Sequence, residues 1–208
     1  MISRSQIQIA ITLAVVTWAL LLLVNGVSLN SAYLKPYSIA IGVVTLSFLA
    51  YDRWLWKLPP LARVLGKPVL GGTWKGKIRS EWIDPDTGSR AAPIEIYVAI
   101  IQTSSTISLR LMSKESSSNT LTSVLEKKGV LLPRLAYMYQ NIPTLSLRER
   151  SSIHHGAIIL DVHGRPAQKL VGWYWTDRST RGEISLDVRS KKVYSSFDEA
   201  RTAMRRPI

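Results

Sequence analysis

The residues best suited to chemistry in this chain recognise ligands rather than react with them. Trp82, Tyr137, Tyr139, Tyr174 and Trp175 stand at the ends of alternating apolar segments, beside polar turns holding Lys114, Arg148, Arg150, Arg178 and Arg181. Asn141, Thr176 and Thr180 lie among them. Aromatic faces stack nucleobases, and guanidinium forks grip phosphates through two parallel hydrogen bonds. Brought together, these side chains make a pocket for an anionic, base-containing small molecule; left apart, the cations are solvated and the aromatics fill a core. Asp177 suits an orienting role, toward Arg178 or its own turn, because a bare carboxylate repels an anionic ligand.

Reactive chemistry has little to work with, and the expectation is a protein that is not an enzyme. There is no cysteine, which removes thiolate metal sites, cysteine nucleophiles and disulfides. The three histidines, His154, His155 and His163, do not make a familiar zinc set, and two of them are adjacent. No Gly-x-Ser-x-Gly elbow, phosphate loop or His-Glu-x-x-His motif occurs, and no resident cofactor or metal is expected.

The elements that position these residues begin after Gly72, where apolar side chains recur with period two. In Trp74 to Trp82 the odd positions are Lys75, Lys77, Arg79 and Glu81, while Trp74, Gly76 and Ile78 occupy the other face. The same pattern predicts further strands over residues 94–100, 106–113, 120–126, 131–140, 157–162, 169–175 and 182–189. Polar turns separate them, among them 84–88, 114–119, 127–129 and a longer loop over 141–155. Eight strands joined without helices form a meander, and eight is the number that closes into a barrel able to hold one small ligand. Gly72-Thr73-Trp74 is like the Gly-x-Trp opening of lipocalins. Alternate turns of a meander lie at opposite ends, so the turns after strands one, three, five and seven gather at one rim with the cations and aromatics named above. Ser196-Phe197-Asp198-Glu199 is a capping box that predicts a short helix to about Met204.

The other end of the chain is a different physical object. Residues 1–50 carry only Arg4 and Lys35 as charges, and Ser5 to Leu34 carries none. Of the net +13, from 27 basic and 14 acidic residues, the remaining part holds 25 basic and the same 14 acidic, or +11. Ile7 to Val24 is long enough to span hydrocarbon as a helix, and a second apolar run, Tyr37 to Tyr51, follows the breakers Asn25, Gly26 and Lys35-Pro36. Trp54 and Trp56 with Arg53 and Lys57 suit an interfacial anchor. A cleaved signal peptide is disfavoured by the length of the first run and the lack of a small-x-small site, and a soluble core helix is the competing reading of the second. The basic residues Arg53, Lys57, Arg63 and Lys67 beyond the second run put both termini on the cytoplasmic side. The expected organisation is a transmembrane hairpin over 1–57, a linker over 58–72 and a β-barrel domain over 73–208.

Two amino-terminal spans are followed by Gly72-Thr73-Trp74-x-Gly76, Tyr137-x-Tyr139-x-Asn141-x-Pro143, His155-Gly156 and Gly172-x-Tyr174-Trp175-Thr176-Asp177-Arg178-x-Thr180-x-Gly182. Across essentially its whole length the chain resembles the two-transmembrane β-barrel effectors of bacterial CBASS anti-phage systems. The resemblance implies two transmembrane α-helices plus an eight-stranded antiparallel up-and-down barrel that binds a cyclic dinucleotide made by a partner nucleotidyltransferase. Binding then drives homo-oligomerisation and disruption of the bacterial inner membrane, with membrane lipid as the second partner and no nucleic acid polymer. Arg178 and Arg181 would meet the phosphates, Tyr139, Tyr174 or Trp175 would stack on bases, and Asn141, Thr176 and Thr180 would hydrogen-bond polar edges. The competing classes are a membrane-tethered, lipocalin-like carrier of an apolar ligand, which uses the same barrel without assembly, and a purely structural anchored module.

Overall fold

The computed structural model describes residues 4–24, 31–61, 66–83, 88–126, 132–149 and 151–205. The chain divides into two compact units, Met1–Leu61 with Thr103–Thr106, and Ala62–Gln102 with Ile107–Ile208.

The first unit holds helices α1 (Arg4–Val24) and α2 (Ser31–Arg53) and a 3-10 turn over Leu55–Lys57. The second helix starts six residues before the expected Tyr37, because Lys35-Pro36 lies within α2 instead of breaking the chain ahead of it. Pro36 is the sixth residue of α2, past the free N–H groups of the helix start, so the helix carries it at the cost of the bond to the Ala32 carbonyl. Among the described residues no helix is long and apolar enough to cross a membrane. Trp54 and Trp56 part company: Trp54 is exposed with Arg53 6.0 Å from its ring, and Trp56 is fully buried with Lys57 5.8 Å away. Asp52 is buried and accepts the Ser105 N–H on its carboxylate at 2.9 Å, while its backbone carbonyl accepts the Ser104 N–H.

The second unit is a closed antiparallel barrel of eight strands in sequential order, as the period-two pattern predicts. These are β1 (Gly72–Ser80), β2 (Ile94–Gln102), β3 (Ile107–Met112), β4 (Ser116–Glu126), β5 (Arg134–Pro143), β6 (His154–His163), β7 (Lys169–Thr176) and β8 (Arg181–Ser190). Closure comes from β1 pairing with β8, with a bulge at Lys75/Gly76. The interior is one cluster that includes Trp74, Ile96, Ile100, Leu135, Leu160, Leu170, Ile184 and Leu186, all buried. Removing each such aliphatic side chain from water is worth about 1.5–3 kcal/mol. The expected linker reaches into this core: Leu70 is fully buried, its N–H donates to Gln102 Oε1 at 2.7 Å, and its carbonyl accepts the Trp74 indole N–H at 2.8 Å.

Three boundaries move toward one rim. β4 starts at Ser116 rather than Thr120, β5 runs on through Asn141 to Pro143, and β6 starts at His154 rather than Ala157. The extensions bring Ser116, Ser118, Asn141 and His154 into the lining of the interior, so the apolar alternation that marks a strand in sequence fades there. The β3–β4 seam is a second irregularity. Its ladder is short, and beyond it the Thr120 hydroxyl bridges both backbone groups of Leu109 while the Ser123 hydroxyl donates to the Ile107 carbonyl. Helix α3 (Phe197–Ala203) closes the chain. Its cap is the expected Ser196, which accepts the Glu199 N–H at 3.3 Å, and Glu199 reaches back to Ser195. Tyr97, Ala99 and Met112 on the outer wall bury Ala200 and Met204.

Candidate functional site

At the end of the barrel where β1 finishes, the interior opens into a cup of about 210 Å³, lined by residues from seven of the strands and the turns between them. A single water needs roughly 10–15 Å³ on this measure, so the space fits a multi-atom ligand. Apolar side chains from Ile78, Ile94, Ile96, Leu111 and Ile158 line part of it. Ser113, Ser116, Ser118, Asn141, Ser151, His154, Thr176 and Thr180 contribute polar groups to the lining. The cup therefore combines apolar and hydrogen-bonding groups, with Tyr139 and Tyr174 among them.

Two glycines make room for those tyrosines. A Cβ on Gly156 would come within 2.5 Å of the Tyr139 hydroxyl, and one on Gly182 within 2.9 Å of Tyr174 Cε1. Each ring thus passes over a bare stretch of the neighbouring strand. Below, Tyr137 is buried with its ring centroid 6.1 Å from that of Tyr139, and its hydroxyl has no hydrogen-bond partner among the described residues. Burial pushes both phenols far above the usual tyrosine range, with Tyr174 and Asp177 adding to the effect at Tyr139. Both stay protonated at neutral pH, so Tyr139 presents an O–H to the cup rather than an anion.

The β7–β8 turn is built on hydroxyls. Thr176 Oγ1 lies 2.7 Å from Thr180 Oγ1 and accepts the N–H groups of Arg178 and Thr180, while Ser179 takes a left-handed φ of 58°. Asp177 binds across to β6, where its carboxylate accepts the His155 N–H at 2.9 Å and lies 3.5 Å from the His155 ring. That backbone bond, with the nearby histidines, holds its carboxyl below the usual range. Asp177 thus braces β6 against the turn, a tie to another strand that differs from the orienting role expected of it.

The structure separates the expected site residues into two groups. Tyr139, Asn141, Tyr174, Thr176 and Thr180 all line the cup. Arg178 stands at its lip, where Nη1 donates to the hydroxyl of the lining residue Ser151 at 2.8 Å. Trp175 and Arg181 are placed elsewhere: they are register partners on the outer wall, Trp175 is 44% exposed, and Arg181 pairs with Glu81 at 2.6 Å. Alternation explains it, since Tyr174 and Trp175 are neighbours on one strand and only one can face inward. Among the other rim cations, Arg148 reaches toward the Pro143 carbonyl at 3.5 Å, and Arg150 lies outside the described residues, as does most of the 84–88 turn. Ser113, Ser116, Ser118, Ser151 and His154 are lining residues that the sequence did not single out. The run Ser116-Ser117-Ser118-Asn119 in an otherwise alternating region was a signal for Ser116 and Ser118. Among the described residues no three His, Asp or Glu side chains gather as a metal site.

Residues 65–188 match the Cap15 cyclic dinucleotide receptor domain, a span that takes in β1 through most of β8 and every cup residue. The chain belongs to the Cap15 family. It is also 26% identical over 174 residues to CD-NTase-associated protein 15 of Staphylococcus schleiferi, covering 83% of this chain and 89% of that protein. The family match starts at residue 65, ahead of β1, consistent with Leu70 belonging to the Cap15 barrel core rather than to a free linker.

Proposed function

We propose that this chain is a CBASS effector whose barrel binds a cyclic dinucleotide in the cup. The observation that carries the reading is a cup with a tyrosine belt, a hydroxyl and amide wall and an arginine at its lip, inside the segment that matches a cyclic dinucleotide receptor domain. Two bases find Tyr139 and Tyr174 for stacking and the Ser, Thr and Asn wall for their polar edges. Arg178 meets phosphate: its charge is engaged with a neutral hydroxyl, whereas Arg181 already has a carboxylate. The hydroxyl and amide groups of the lining suit this ligand better than the apolar cargo of a lipocalin-like carrier. The test is the thermal stability of the full chain in detergent across a panel of cyclic dinucleotides. One of them raises the midpoint, and a panel with no effect rejects the receptor reading.

The finer mechanism extends the same proposal. The partner that makes the ligand is a nucleotidyltransferase, and α1 and α2 lie in the bacterial inner membrane with both termini cytoplasmic. Supporting this are the 30 uncharged residues from Ser5 to Leu34 and the exposed apolar side chains of both helices, such as Val16, Leu20, Leu23, Val43, Leu46 and Leu49. A ligand shifts assembly only by its differential affinity for the assembled form, and confinement to a membrane raises the effective concentration so that weak contacts suffice. Clustered helices then breach the bilayer.

A further inference from the structure

The outer wall of the barrel is not uniformly polar. Strand register aligns Val124, Ala136, Ile159 and Trp173 in one outward row across β4 to β7, and Thr122, Met138, Ala157 and Trp175 in the next. Val124, Met138, Trp173 and Trp175 are 45, 51, 49 and 44% exposed. Neither row contains a charge until β8, where Glu183 and Arg181 stand beside Trp173 and Trp175. Charged residues stand at its borders: Arg134 pairs with Asp161 at 2.8 Å beside Glu126 on one side, Asp177 lies 3.5 Å from the His155 ring on another, and Arg181 binds Glu81 on the third. Elsewhere the wall differs. Outward positions of β1 are Lys75, Lys77 and Arg79, and α3 covers Tyr97 and Met112.

We infer that this β4–β7 face is the contact through which two copies of the chain meet, patch against patch. Charge selects the occupant. Each copy carries a net +13, so two copies repel over most orientations, and repulsion is least where neutral faces meet. An acidic lipid surface would instead favour the lysine and arginine face. Composition agrees, since exposed tryptophan and methionine are typical of interface centres. Four strands spaced about 4.8 Å apart and two rows about 7 Å apart give a patch on the order of 300 Å². A standard stable interface buries about 800 Å² per partner, so this contact is weak in dilute solution and forms when copies are concentrated. The inference goes beyond ligand recognition: it concerns a surface outside the cup and stands whether or not the ligand is a cyclic dinucleotide.

The absence of cysteine in the chain makes the test direct. Full-length Met138→Cys and Lys77→Cys are reconstituted in vesicles of phosphatidylethanolamine and phosphatidylglycerol and oxidised, with and without a cyclic dinucleotide that stabilises the wild type. Both sites are exposed. Disulfide-linked dimers are expected for Met138→Cys and not for Lys77→Cys on the cationic face. The double variant Trp173→Ser/Val124→Ser in the Met138→Cys background is expected to need on the order of tenfold more protein for the same cross-linking, with its ligand-induced thermal shift unchanged. Equal cross-linking at both sites, none at Met138→Cys in any condition, or no effect of the double variant overturns the proposal. Loss of the thermal shift in the wild type would reject the receptor reading alone.

Discussion

At the residue scale, the cup separates two arginines that sequence treats alike. Arg178 leans over the opening on a serine hydroxyl, and Arg181 is held on the outer wall by Glu81. A charge-assisted contact to phosphate is worth about 1.5–3 kcal/mol, so Arg178→Ala should weaken cyclic dinucleotide binding roughly tenfold to a hundredfold. Arg181→Ala should leave affinity within about twofold, because an exposed ion pair contributes little. Titration calorimetry on both variants distinguishes them, and equal losses would place the phosphates outside the lip. Tyr137 supplies a second prediction. Its buried hydroxyl has no partner among the described residues, and such a group costs about 1–3 kcal/mol, so Tyr137→Phe should raise the thermal midpoint by a few degrees. A lower midpoint would mean that the hydroxyl is hydrogen-bonded to water or ligand. The same burial sets an alkaline limit. Tyr137 and Tyr139 have folded pKa values raised above the unfolded value near 10, so their contribution is complete below that pH and lost as pH rises beyond it. Unfolding measured upward from pH 10 should lose up to about 1.4 kcal/mol per pH unit for each such tyrosine. That slope should be shallower in Tyr137→Phe.

At the element scale, the site depends on strands passing close to one another without side chains between them. Gly156 on β6 faces Tyr139 on β5 across the ladder, and a methyl there would collide with the phenol and with the Trp175 carbonyl at 2.7 Å. Gly156→Ala should therefore destabilise the barrel by about 1–3 kcal/mol, as overpacking does, and reduce affinity by pushing Tyr139 into the cup. Denaturant unfolding and ligand titration on the same variant check both halves, and normal affinity would separate Tyr139 from binding. Helix α3 is a simpler case. Ser196→Ala removes the hydroxyl that accepts the Glu199 N–H at its start and should cost about 1 kcal/mol without altering binding.

At the scale of the whole molecule, the proposed activity is membrane breach that requires ligand. Dye-loaded vesicles carrying the full chain should leak when the stabilising cyclic dinucleotide is added and stay sealed without it. Arg178→Ala should move the ligand concentration needed by the same factor as its affinity. Leakage independent of ligand would separate the barrel from the lesion, and sealed vesicles at saturating ligand would end the effector mechanism while leaving the receptor intact.

Much of the architecture was legible in sequence because alternation is a local property. Trp74, Gly76 and Ile78 against Lys75, Lys77 and Arg79 declare a strand with one dry face, and eight such segments joined by turns leave closure as the way to hide two edges. Strand parity likewise brought Asn141, Thr176 and Thr180 to one rim. Alternation failed where the barrel becomes a cup, because inward Ser118 and Asn141 look like loop residues until opposite strands enclose them. It also left open which of Tyr174 and Trp175 faces in. Closure decided that: Tyr174 lies over Gly182 inside, and Trp175 joins Met138 and Ala157 outside, through neighbours contributed by distant parts of the chain. Period and composition fix what each strand can bury, but the side it buries is a property of the closed ring.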